Sequence, residues 1–133
     1  MAAVTDLAAR RDSKPDDLLE RLNALSVEFG DTLGTKVKEI QRIWSLVPSA
    51  PSPDETRAAL VKIHDIVHTL AGAGKSFGFP QVSKAAAPLD GLFRLIAEQK
   101  HPLTSEETDQ IEVLIRALEK ATGAPRQAIS LDD

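Results

Sequence analysis

The sequence predicts an all-α fold, an up-down antiparallel four-helix bundle. Three observations point to it. Four stretches place apolar residues every three or four positions, as one buried helix face requires, and none alternates apolar with polar residues like a half-buried strand. Short connections marked by proline, glycine and serine separate them, which makes consecutive helices antiparallel neighbours. Composition agrees: 42% of residues are hydrophobic but only 4% aromatic, with no Tyr and one Trp. Cores of Ala and Leu with few aromatics suit helix-on-helix packing better than sheet packing. At 133 residues the chain is about one domain.

The first helix is predicted from Pro15 to Val47, with Leu22, Leu25, Phe29, Leu33, Val37, Ile40, Trp44 and Val47 on its buried face. Gly30 and Gly34 lie inside it. Each costs up to about 1 kcal/mol relative to Ala, so a kink or break is expected near Gly30–Gly34. The prolines of "PSAPSP" then forbid helix. The second helix opens at "SPDE", with Ser52 as N-cap, Pro53 at the first helical position and Glu55 completing a capping box. Leu60, Ile63, Val67, Leu70 and Gly74 follow one face, and "GFP" ends the helix.

Pro80 opens the third helix, which buries Val82, Ala85, Ala86, Leu89, Leu92, Phe93 and Ile96. Pro88 in its interior removes one backbone donor and should bend it. After "KHPL", the run "TSEE" is a second capping box, Thr104 with Glu107. Ile111, Leu114, Leu118 and Ala121 carry the fourth apolar stripe. The domain reading is therefore a flexible N-terminus over 1–14, the bundle over 15–122 and a flexible tail over 123–133.

Several function classes are disfavoured. A net charge of −4 is opposite in sign to the basic patch of a nucleic-acid binder. There is no cysteine, hence no disulfide framework and no thiolate chemistry. The first residues lack a signal-peptide apolar run, and no segment reaches the roughly 18 apolar residues of a membrane span. A cytoplasmic location without membrane attachment is the expectation.

The stretch "VHTLAGAGKSFGF", Val67–Phe79, holds the chemistry. Its "GAGKS" invites comparison with a phosphate-binding loop. That loop needs its first glycine where this chain has Thr69, and a preceding strand where "LVKIHDIVHTL" has helical spacing. The histidine reading fits better. At about 100° per residue, His68 falls roughly 120° from the centre of the apolar face, a boundary or exposed position. Gly72 follows one turn later and Lys75 two turns later, while His64 lies one turn before, nearer the core edge. A neutral imidazole offers one nitrogen lone pair as nucleophile near pH 7. Gly72 removes a side chain beside it, and Lys75 supplies a cation for a phosphoryl group.

On His68, Leu70, Gly72, Ala73, Gly74, Phe77 and Gly78, the stretch resembles the signature of histidine-containing phosphotransfer (HPt) domains, most closely those at the N-terminus of chemotaxis histidine kinases. The resemblance implies a four-helix bundle that carries a phosphoryl group on His68. It implies exchange of that group with the aspartate of a response-regulator receiver domain, in a phosphorelay that includes a hybrid histidine kinase. It also implies a polar partner twenty-two residues after the histidine, here Asp90, which the helical ruler independently puts on the flank of its helix. A carboxylate accepting from Nδ1–H would fix the tautomer and leave Nε2 free to attack. One position departs from the family: where many members have Lys or Arg, three residues after the histidine, this chain has Ala71.

The expected function is thus a histidine phosphotransfer protein, a phosphocarrier without autonomous kinase activity. The alternative is a non-catalytic docking module that regulates a kinase or response regulator by binding. His68, Asp90 and Lys75 are the expected phosphorylation, imidazole-orienting and charge-supplying residues. Val61, His64, Gly72 and Lys75 are the expected partner-facing ones. No cofactor is expected on this chain, the partner receiver bringing Mg²⁺. The i, i+4 spacing of His64 and His68 could chelate zinc, but there is no HExxH glutamate and no Cys, and His101 lies far away, so no metal site is expected. Asp90 could alternatively be a surface carboxylate paired with Arg94 at i+4, and Phe77 and Phe79 are read as core and turn-packing residues. A monomer is expected, with the N-terminal half of the long first helix as the surface available for pairing. The Met1 start and polar tail favour a free-standing protein over a domain of a larger kinase.

Overall fold

The computed structural model describes residues 15–129. Four helices follow in order: α1 (Pro15–Leu46), α2 (Pro53–Ala73), α3 (Pro80–Glu98) and α4 (Ser105–Ala121), with one 3₁₀ turn (Val47–Ser49) after α1. The connections 47–52, 74–79 and 99–104 have six residues each. Six residues reach at most about 20 Å, less than the roughly 30 Å length of α2 or α3. Each helix therefore has to return alongside the one before it. α2 packs most extensively on α3, α3 on α4 and α1 on α2, and α4 closes the ring against α1.

The core is the expected apolar stripe of each helix. Leu33, Val37, Ile40 and Ile43 come from α1, Ile63, Val67 and Leu70 from α2, Val82, Ala86, Leu89 and Phe93 from α3, and Ile111, Ile115 and Leu118 from α4. Leu25 was expected on this stripe but is 49% exposed. In its place the neighbouring Ser26 is buried, with its hydroxyl donating to the Phe77 carbonyl. The helix starts are where the sequence put them. Ser52 accepts from the Glu55 N–H at 3.2 Å, a one-way cap in place of the expected box, and Thr104 and Glu107 form the reciprocal box at 3.1 and 2.9 Å. Pro88 stands inside α3 without ending it.

Three expectations need correction. The break near Gly30–Gly34 does not occur, and α1 is one continuous helix of 32 residues. Gly30 is the floor for a buried ring: a Cβ there would stand 2.6 Å from Cζ of Phe79. That ring lies 5.9 Å from Phe29, which also stacks on Phe77 at 5.1 Å. The aromatic packing offsets the helix propensity the glycine gives up.

α2 ends at Ala73, earlier than expected, and 74–78 form a turn. Gly74 is pressed against Ser83 Oγ, Leu70 O and Phe79 O. The Lys75 N–H donates to Ser83 Oγ at 2.6 Å, and Gly78 adopts φ +88°, a left-handed backbone that favours glycine.

Residues 124–129 of the expected flexible tail are docked. Gln127 N–H donates to Gly78 O at 2.7 Å. Asn23 exchanges bonds with the backbone of Ile129 at 2.9 and 3.3 Å, and Arg126 donates to Asn23 Oδ1 and Ser26 Oγ at 3.0 and 3.2 Å. Polar groups on α1 and the Gly78 carbonyl of the 74–78 turn hold this segment, which hydrophobic periodicity does not register. Residues 1–14 and 130–133, expected as flexible, lie outside the described residues.

Candidate functional site

Two helices build the site. α2 presents His64 and His68 one turn apart, and α3 presents Asp90 with Arg94 one turn later. Because α2 and α3 are the most closely packed pair, Asp90 reaches both histidines. Its Oδ1 lies 2.7 Å from His64 Nε2 and 3.2 Å from His68 Nδ1, while its Oδ2 accepts from Arg94 at 3.2 Å. Exposure separates the three side chains: His68 is 66% exposed, His64 27% and Asp90 14%.

Burial pushes the Asp90 carboxyl up. The hydrogen bonds from His64 and His68, with the nearby charges of Arg94 and His68, outweigh it and hold the carboxyl below its ordinary value. Asp90 is therefore an anion at neutral pH, and an ionised carboxylate only accepts hydrogen bonds. Both facing ring nitrogens must then be N–H donors, which assigns opposite tautomers to the neutral rings. His68 carries its proton on Nδ1 and its lone pair on Nε2. His64 carries its proton on Nε2, and its ring stacks on Phe93 at 6.1 Å. The exposed ring has a free nucleophilic nitrogen, and the half-buried ring helps to anchor the carboxylate.

The structure thus brings together His68, Asp90 and His64. The helical stripe that was to carry Lys75 past His68 stops at Ala73, and Lys75 sits on the following turn with its backbone bound to Ser83. Among the described residues, the cation paired with Asp90 is Arg94. The i, i+4 spacing of Asp90 and Arg94 signalled that pair. The contact between His64 and Asp90, shorter than the one to His68, has no local signal because it depends on how α2 and α3 pack. Ala71 is half-buried against the core, so the position three residues after His68 is a packing position here. A Cβ on Gly72 would meet nothing within 4 Å, so the surface one turn beyond His68 is clear.

Val61 is 52% exposed. With His64, Leu60 and Phe93 it lines a cleft of about 590 Å³ that runs to the 99–103 connection. Among the described residues, no helix is long and apolar enough to cross a membrane.

The helical bundle thus presents an exposed imidazole whose Nδ1 is held by a carboxylate of the adjacent helix. A family model of the Hpt domain matches residues 16–121, and the chain belongs to the Hpt domain family, whose general role is histidine phosphotransfer in two-component systems. No curated protein and no solved structure gave a match.

Proposed function

We propose that this protein is a phosphocarrier in a phosphorelay, with Nε2 of His68 as the phosphorylated atom. The observation that carries the reading is the 3.2 Å contact between Asp90 Oδ1 and Nδ1 of a histidine that is 66% exposed. In the forward step the Nε2 lone pair attacks the phosphorus of an aspartyl phosphate on a receiver domain. The N–P bond forms, the bond from phosphorus to the carboxylate oxygen breaks, and the receiver aspartate leaves as a carboxylate. The ring gains positive character, which Asp90 stabilises through the retained Nδ1–H. Attack by a second receiver's carboxylate reverses these events. The receivers bring the Mg²⁺, and a hybrid histidine kinase feeds the first of them. Val61, His64 and Gly72 border the approach to His68, and Lys75 on the turn beyond contributes charge to the docking face.

The test is transfer from a phosphorylated receiver. Acid-labile, base-stable label is expected on the wild type and on His64→Ala, and none on His68→Gln. Label that persists in His68→Gln, or disappears only in His64→Ala, refutes the assignment. The half-buried Ala71 favours a second reading, a docking module that regulates a kinase or receiver without transfer. Saturable receiver binding with no label on the wild type would select it.

A further inference from the structure

We propose that His64, His68 and Asp90 form a binding site for a divalent transition metal of the zinc class. The three residues offer one donor atom each, and these atoms lie within 4.8 Å of one another. Around a tetrahedral zinc with bonds of about 2.0–2.1 Å, donors stand roughly 3.3 Å apart. The two nitrogen-to-oxygen separations here are 2.7 and 3.2 Å, so small side-chain rotations suffice to admit an ion. The i, i+4 histidine pair sits on a regular helix, as in helical zinc sites, and the third donor comes from the packed neighbour α3. Two imidazoles with one carboxylate favour zinc and its transition-metal neighbours over magnesium or calcium, which prefer all-oxygen sites. The 66% exposure of His68 leaves room for a fourth ligand, water or an oxyanion.

Binding has a consequence for the ring chemistry. A metal on Nδ1 of His68 takes the lone pair of that nitrogen, so the ring proton moves to Nε2. A ring metallated on Nδ1 and protonated on Nε2 has no lone pair for phosphorus. His64 likewise gives its Nε2 lone pair to the metal and holds its proton on Nδ1. No net proton is released from the two neutral rings, and metal and phosphoryl group exclude each other at His68. Metal binding itself does not depend on the phosphocarrier reading, whereas this exclusion rests on it.

The test uses tag-free protein titrated with ZnCl₂ by calorimetry, and with CoCl₂ by visible absorption, with no phosphodonor present. One equivalent should bind with a dissociation constant in the micromolar range, together with cobalt bands of a nitrogen- and oxygen-ligated ion. Affinity should fall at least tenfold in His64→Ala, His68→Gln and Asp90→Ala, each verified as helical by circular dichroism, and stay unchanged in His101→Ala. Absent binding, or binding that His101→Ala weakens as much as His68→Gln does, overturns the site. Zinc should then suppress labelling of the wild type with the midpoint measured by calorimetry, and that of His64→Ala only at concentrations at least tenfold higher. Bound zinc with undiminished wild-type labelling overturns the exclusion.

Discussion

Gly72 and Gly74 stand two residues apart at the end of α2 and meet opposite surroundings. A side chain on Gly72 would reach open space, while one on Gly74 would collide with Ser83, Leu70 and Phe79. The same contrast divides the larger regions to which they belong. The histidine stripe of His64, His68 and Gly72 borders an exposed surface and keeps it clear. The two glycines of the turn 74–78 are buried, against Ser83 of α3, the Phe29, Phe77 and Phe79 cluster, and the returning segment at Gln127. One run of small residues therefore meets two environments, open surface at one end and close packing at the other.

Substitutions can break this contrast, the largest effect first. Gly78→Ala forces a side chain onto a left-handed backbone, with its Cβ colliding with Gln127 O. Strain and displacement of the docked segment should together cost about 2–4 kcal/mol, read from urea unfolding followed by Trp44 fluorescence. A loss under about 0.5 kcal/mol would show that the turn is not clamped. Gly74→Ala should cost about 1–3 kcal/mol by overpacking against backbone oxygens, with the transfer rate scaled only by the folded fraction.

On the other side of the comparison, Asp90→Ala should slow phosphoryl transfer roughly tenfold or more by freeing the tautomer and orientation of His68, with the helical circular dichroism signal retained. Wild-type transfer in that variant would remove Asp90 from its positioning role. Gly72→Ala should be neutral or stabilising by up to about 1 kcal/mol, since Ala is the better helix former and meets no neighbour. Its transfer from a receiver should nonetheless slow, through the rise in half-saturating receiver concentration that lost clearance produces. Destabilisation by Gly72→Ala would show that the two glycines are not opposites.

The smallest effect is in acid. The folded-state pKa of Asp90 is depressed, so its contribution to stability is fully present above the ordinary aspartate value near 3.9. It fades as pH falls through the lower folded value. The stability gap between wild type and Asp90→Asn should therefore narrow below about pH 4, and a gap that stays constant down to pH 2 would contradict the sign.

Much of the architecture was legible in residue spacing. Ser52, Pro53, Pro80 and Thr104 mark helix starts through local backbone chemistry, and Leu33, Ile63, Leu89 and Ile111 recur at helical period, so neither depends on distant partners. Two local rules failed for a shared reason. Glycine propensity predicted a break at Gly30–Gly34, and helical continuation predicted Lys75 on the histidine stripe. In both places a side chain from another element decided the outcome: the Phe79 ring over Gly30, and the Ser83 hydroxyl at Lys75.

The histidine site divides along the same line. Helical geometry along α2 sufficed to put His68 on an exposed flank and His64 nearer the core, because exposure on a helix follows from angle. The Asp90–Arg94 pair is likewise a matter of i, i+4 spacing on one helix. What spacing within a helix cannot supply is the separation between atoms on two helices. The packing of α2 against α3 alone set Asp90 Oδ1 between the two imidazoles, closer to His64 than to His68. That placement assigns the tautomers, and with them which nitrogen of His68 keeps its lone pair.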